Sequence, residues 1–133
     1  MPSGRLPVMP GNPRSTRKYL LPTERVTTLD IAWAAGVYEG EGWIGGRSIA
    51  VTISQKDRWL LDRLRALFGG HICSYPDKRD STRTYHIWQV GGALASGFIQ
   101  TIYKFLSPRR RKQALIAILK DELRLSKQLE DRE

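Results

Sequence analysis

The stretch Ala34-Ala35-Gly36-Val37-Tyr38-Glu39-Gly40-Glu41-Gly42 decides how the rest of this 133-residue chain is read. Thr27 or Thr28 can cap a helix ahead of it, with Asp30 in the first turn, so a helix is expected from about Leu29 to Gly40. The Gly40-Glu41-Gly42 run ends it. Ala32, Gly36 and Gly40 share one helix face. Small residues at this spacing let two helix backbones approach closely. A mid-helix glycine costs about 1 kcal/mol relative to alanine, so Gly36 signals a close neighbour. That neighbour is either the chain's own sheet or a second copy. Glu39 and Glu41 stand where a helix carries partial negative charge, which disfavours carboxylates unless cations are near.

Working outward, Ile49, Val51 and Ile53 alternate with Ser48, Ala50, Thr52 and Ser54, the pattern of a half-buried strand. Gly45-Gly46 marks a tight turn, which makes Trp43-Ile44 the short first strand of a hairpin. Asp57 opens a second helix through Phe68, striped by Leu60, Leu61, Leu64, Leu67 and Phe68 and stopped by Gly69-Gly70. His71 to Tyr75 and Thr82 to Val90 read as two more strands, with a charged loop from Pro76 to Ser81. On the last strand Tyr85 and Ile87 occupy one face, and Thr84, His86 and Trp88 the other. A third helix is expected over 93–106, with Phe98, Ile102 and Phe105 in register. Ser107 and Pro108 then open a fourth, carrying Leu115, Ile118, Leu119 and Leu123. The last ten residues are highly charged and are expected to fray. No internal repeat is visible, so any two-fold symmetry has to come from a second chain.

Composition narrows the partner. Lys and Arg number 22 against 13 Asp and Glu, a net charge of +9, which points to a polyanion, most often nucleic acid. One cysteine, Cys73, excludes an internal disulfide framework, and with only His71 and His86 there is no zinc-type ligand set. No apolar run is long enough to span a membrane, and the N-terminus lacks the apolar region of a secretory signal. Residues 1–23 hold no acid but carry Arg5, Arg14, Arg17 and Lys18. Pro7, Pro10 and Pro13 oppose the amphipathic helix of an organellar transit peptide, leaving a basic arm along a phosphate backbone, or simple disorder. The division is thus a basic, flexible arm over 1–26, one domain over 27–123 and a charged tail over 124–133.

Residues Ala34 to Gly42 resemble the nine-residue signature of the LAGLIDADG homing endonucleases, of the single-motif, homodimeric type. Small and apolar positions match, as do the acids at the sixth and eighth places; Ala34 replaces the leading leucine, and both acids are Glu where Asp is frequent. The resemblance covers about residues 28–120 and implies an α+β fold of αββαββα order, with a four-stranded antiparallel sheet forming a saddle over DNA. It implies a homodimer touching through Ala32, Gly36, Glu39 and Gly40, and Mg2+ (or Mn2+) held by Glu41 with the Gly40 carbonyl assisting. Oxygen ligands suit such hard cations. The implied activity is site-specific double-strand cleavage of DNA by phosphodiester hydrolysis, inside the cell at DNA, in the service of intron or intein mobility. Gln55 matches a glutamine that organises water near the metals. By spacing, Arg110 falls where the family has an active-site lysine, with Arg109 or Arg111 as alternatives. Arginine keeps its proton near neutrality, so it serves phosphate charge but not as a base.

Arg109, Arg110, Arg111 and Lys112 crowd a helix N-terminus, where each cation costs roughly 0.3–1 kcal/mol. A phosphate close by would reverse that sign. The resemblance assigns base reading to alternate strand residues: Ser48, Ala50 and Thr52, then His71, Cys73 and Tyr75, then Thr82, Thr84 and His86. Arg47, Lys56, Lys78, Arg79, Arg83, Arg109 and Arg111 complete the expected DNA contacts. Two-fold pairing implies a pseudo-palindromic site. Rival readings are a non-cleaving binder on the same scaffold, such as an RNA-splicing maturase or a DNA-binding regulator, and a structural RNA-binding protein.

Overall fold

The computed structural model describes residues 21–132; the segment 1–20, most of the expected N-terminal arm, lies outside the described residues. Helix α1 (Thr28–Glu41) opens with a reciprocal cap. Thr27 Oγ1 accepts from the Asp30 amide at 3.2 Å, and Asp30 Oδ2 accepts from the Thr27 amide at 3.0 Å. Arg63 joins this cap to the preceding coil, donating to Asp30 at 3.1 Å and pairing with Glu24. The Thr23 and Glu24 amides both reach the Ala66 carbonyl, so residues 23–24 are hydrogen-bonded to the second helix.

Strands β1 (Gly42–Gly45) and β2 (Ala50–Gln55) form the first hairpin, helix α2 (Arg58–Phe68) follows, and β3 (His71–Pro76) and β4 (Thr84–Gly91) form the second. Helix α3 (Gly92–Ile102), a 3-10 turn (Tyr103–Phe105) and helix α4 (Pro108–Arg132) complete the chain. The protein is therefore α+β, with one antiparallel sheet in the order β1-β2-β4-β3. Helices α1, α2 and α3 contact this sheet. Val51, Ile53, Trp88 and Val90 are fully buried, and register puts them on one face. Trp88 satisfies its indole N–H on the Gly69 carbonyl at 2.9 Å. Phe98 of α3 sets its ring edge-on to Phe68, Trp88 and Tyr38, at 4.9, 5.1 and 6.3 Å between centroids.

Two expectations need correction. The third helix does not run unbroken to 106: it tightens into the 3-10 turn after Ile102, which rotates Phe105 out of the apolar stripe and leaves it exposed. The last residues do not fray from 124 either, because α4 continues to Arg132. Asp121 Oδ1 accepts from the Ile49 amide at 3.2 Å and from Arg124 at 3.1 Å, while Arg124 also reaches Ser48 Oγ at 3.4 Å. The turn between β1 and β2 thus grips the far half of α4. Among the described residues, no helix is long and apolar enough to cross a membrane.

The passage from α1 into β1 depends on Gly42. A Cβ there would fall 2.2 Å from Tyr38 Cδ1 and 2.7 Å from the Tyr38 carbonyl oxygen. Tyr38 is fully buried, so it has little room to retreat. Gly42→Ala is expected to destabilise the fold by about 1–3 kcal/mol, the usual range for overpacking, measurable by urea unfolding.

Candidate active site

The C-terminal end of α1 is where the sequence-predicted residues converge. Register places Gly42 opposite Ile53, so β2 carries Gln55 alongside the helix end. Glu41 is exposed, and no hydrogen bond or ion pair engages its carboxylate among the described residues. A helix leaves its last carbonyls without internal partners, and here that of Tyr38 is taken by the Gly42 amide. Gly40 lies beside Glu41 with its carbonyl at this same terminus.

Glu39 turns toward its own chain. Its two carboxylate oxygens accept from the Ser107 amide at 2.7 Å and from Ser107 Oγ at 2.8 Å. Ser107 in turn caps α4, its Oγ accepting from the Arg110 amide at 3.3 Å. Glu39 is thus a strut between the end of one helix and the start of another, a role the spacing of acids alone does not reveal. The Ser107 amide, aided by its hydroxyl and by the Arg110 and Arg109 charges, holds the Glu39 carboxyl below the usual range, against a smaller opposing effect of desolvation. A lowered folded-state pKa means the strut's stability is present above the ordinary glutamate range and is lost as pH falls through the folded value. Glu39→Ala is expected to flatten the acid side of the melting-temperature profile while lowering stability at neutral pH, which thermal scans across pH can check.

The basic run at the start of α4 has a different logic from the expected one. Arg110 donates through Nε and Nη2 to the Glu39 carbonyl, at 3.2 and 3.1 Å, and through Nη1 to Gln113 Oε1 at 3.2 Å. Its guanidinium also lies 5.0 Å from the Tyr38 ring centroid. Arg111 reaches the Tyr103 carbonyl at 3.3 Å and that of Lys104 at 2.6 Å. Two of the four cations therefore reach back to the carbonyl ends of preceding helical segments, where positive charge is favourable. The dipole argument for phosphate contact then rests on Arg109 and Lys112, both exposed. Arg110 stays beside the helix end, but as a cap with much of its donor capacity committed.

The outer sheet face departs from the expected set. Trp88 and Val90 are buried toward the helices, and alternation puts Thr84 and His86 on that same inner face. His86 bonds Ser74 Oγ at 2.7 Å. The expectation that Thr84 and His86 face the groove is thus corrected, and Tyr85, Ile87 and Gln89 take their place. Thr82 sits in the turn, bonded to Asp80. Ser48 lies in the β1–β2 turn rather than on the strand. Ala50, Thr52, His71, Cys73 and Tyr75 do lie on the outer face. One cross-strand row, His71-Gln89-Thr52-Trp43, spans all four strands, and Tyr75 stacks on Tyr85 at 5.7 Å. The sequence signal for this parity was the Trp88 and Val90 pair, which outweighs the apolar Ile87.

The expected phosphate contacts flank the sheet. Lys56 follows directly on β2, while Lys78, Arg79 and Arg83 crowd the β3–β4 turn at the same end, Arg83 paired with Asp80 at 3.4 Å. Arg47 is exposed in the turn at the opposite end. Among the described residues, no three His, Cys, Asp or Glu side chains converge as a metal site would require. Glu41 therefore stands without a neighbouring cluster of acids, and a hard cation held there would complete its coordination with other oxygens, such as water or phosphate. Comparison with protein-family models and with curated proteins finds no match for this chain.

Proposed function

We propose that this protein is a homodimeric, divalent-metal-dependent DNA endonuclease of the LAGLIDADG type. The observation that carries the reading is the exposed face of α1. A Cβ added at Gly36 or Gly40 would meet nothing within 4 Å, so neither glycine serves packing within the subunit. Around them lie Leu29, 83% exposed, and Trp33, which meets the 64% exposed Trp59 edge-on at 6.4 Å. A face with two uncrowded glycines and flanking apolar groups suits a second copy of the same helix.

Two-fold pairing along this face brings the two Glu41 carboxylates together at adjacent helix ends, with Gln55 and Arg110 of each chain beside them. Glu41 of each chain would hold Mg2+ or Mn2+, which would supply Lewis-acid stabilisation of a phosphoryl group. Glu41 supplies the anionic oxygens, and Arg110 neutralises the carbonyl end of the helix so that acid and cations gather there without mutual disruption. The outer row of His71, Gln89 and Thr52 presents donors and acceptors suited to base edges, and Gln is a standard reader of adenine. Gln89→Ala is expected to relax the preference at one base pair per half-site by about 1–3 kcal/mol, with His86→Ala nearly silent, in a competition assay over randomised duplexes.

A non-cleaving nucleic-acid binder on the same scaffold draws support from Arg110, whose donors are largely committed inside the chain. Incubating the purified protein and Mg2+ or Mn2+ with a random duplex library separates the two readings. The nuclease yields double-strand breaks at pseudo-palindromic sequences. Binding without any nicking, above all with tighter binding to RNA, favours the other.

A further inference from the structure

Between the β1–β2 hairpin and α4 lies a cleft of about 410 Å³, within the range of ~300–1,000 Å³ that small-ligand sites span. None of the residues that read bases or gather at the α1 terminus explains it, Arg110 at its margin aside. Its floor is apolar, from Ile44, Ile49 and Ile116. At its mouth stands Trp43, 54% exposed, on the edge strand. The indole lies against Gly45, whose added Cβ would sit 2.7 Å from Cζ2. That glycine lets the ring lie along the strand instead of standing off it.

The charged groups around the cleft are Arg47 from the turn and Arg110, Lys120 and Asp121 from α4. Asp121 is already matched by Arg124 and the Ile49 amide, and Arg110 by the Glu39 carbonyl. Arg47 and Lys120 are exposed and make no side-chain hydrogen bond or ion pair among the described residues. Arg47 also lines a second depression, together with Arg124 and Lys127. A flat aromatic face, an apolar floor and two uncommitted cations form the combination that holds an unstacked base and its phosphates. Trp43 is moreover the last member of the row His71-Gln89-Thr52-Trp43, so a strand crossing the sheet leaves it at this ring.

We propose that this cleft is a binding site for an unpaired nucleotide of a DNA strand, its base on Trp43 and its phosphates on Arg47 and Lys120. The inference rests on the DNA reading above, yet it concerns a separate site. Titration of the full-length protein with the hexathymidylate dT6, followed by tryptophan fluorescence, tests it. The wild type is expected to show saturable quenching, and Trp43→Leu to lose most of it and weaken affinity at least tenfold. The Arg47→Gln/Lys120→Gln pair is expected to make the salt dependence shallower, by about 0.7 in log–log slope for each phosphate that is no longer neutralised. Trp43→Leu binding dT6 as the wild type does would overturn the site. So would equal quenching by a poly-glutamate peptide, or tenfold tighter binding of the ribo-hexanucleotide. Cleavage of duplex libraries is read separately on the wild type: Trp43-dependent dT6 binding without cleavage upholds this site and removes the nuclease.

Discussion

Glu41→Gln is expected to abolish DNA cleavage while leaving folding and DNA binding in place. Gln keeps the size of Glu, and the Glu41 carboxylate holds no hydrogen bond or ion pair among the described residues that the change could break. Removing a negative charge from the C-terminal end of α1 even favours the helix, by about 0.3–1 kcal/mol. In the proposed dimer, by contrast, the paired carboxylates would supply the charge that holds a hard cation against the scissile phosphate. Losing several kcal/mol of that stabilisation corresponds to a rate loss of roughly 10³ or more. A gel assay of plasmid cutting with Mg2+ or Mn2+, run beside a filter-binding assay, measures both quantities. Because the carboxylate no longer repels phosphate, duplex affinity is expected to hold or to rise. Cutting at wild-type rate would remove Glu41 from the chemistry.

The second large effect has opposite signs on two measurements. Gly36 is exposed on α1 with open space around its Cα. In an isolated subunit, Gly36→Ala is expected to stabilise the helix by about 1 kcal/mol, since alanine restricts the unfolded chain and clashes with nothing. That corresponds to a rise of roughly 4 °C in melting temperature for a domain of this size. In a dimer packed through the same face, the added methyl pushes the helices apart. Dimer affinity and cleavage are then expected to fall a hundredfold or more, as read by sedimentation over a dilution series and by plasmid cutting. A variant that gains thermal stability and keeps full self-association would show that this face looks onto solvent.

Much of this arrangement was legible in the sequence because it follows from local periodicity. The alternation at Ile49, Val51 and Ile53 and the stripe Leu61, Leu64, Leu67 each bury one side, and the structure buries those sides. The Thr27 and Asp30 pair likewise announces the helix start. What escaped depends on contacts between residues far apart in the chain. Glu39 looks like half of an acidic pair, but Ser107, 68 positions away, takes both its oxygens. Arg110 and Arg111 look like a penalty at a helix start until the carbonyl ends they reach are known. The parity of β4 was obscured because Ile87 and Trp88 are adjacent and apolar; the Trp88 and Val90 pair was its signal, and pairing with Ile53 and Ile72 assigns Trp88 to the core. The reach of α4 to Arg132 was hidden for the same reason, since Asp121 is anchored by the Ile49 amide.

The association of two α1 helices is tested most directly by a cross-link at their proposed meeting point. Cys73 is the one cysteine of the chain, so a Cys73→Ser background leaves an added thiol unique. With Gly36→Cys in that background, and at a protein concentration raised to offset the pairing that the added side chain weakens, mild oxidation is expected to give a disulfide-linked dimer rapidly, because a disulfide forms only where Cα atoms approach within about 7 Å. A control thiol from Leu123→Cys, exposed on α4, is expected to cross-link slowly. If both positions cross-link at the same slow, concentration-driven rate, the subunits do not meet through α1, and the paired Glu41 site does not form.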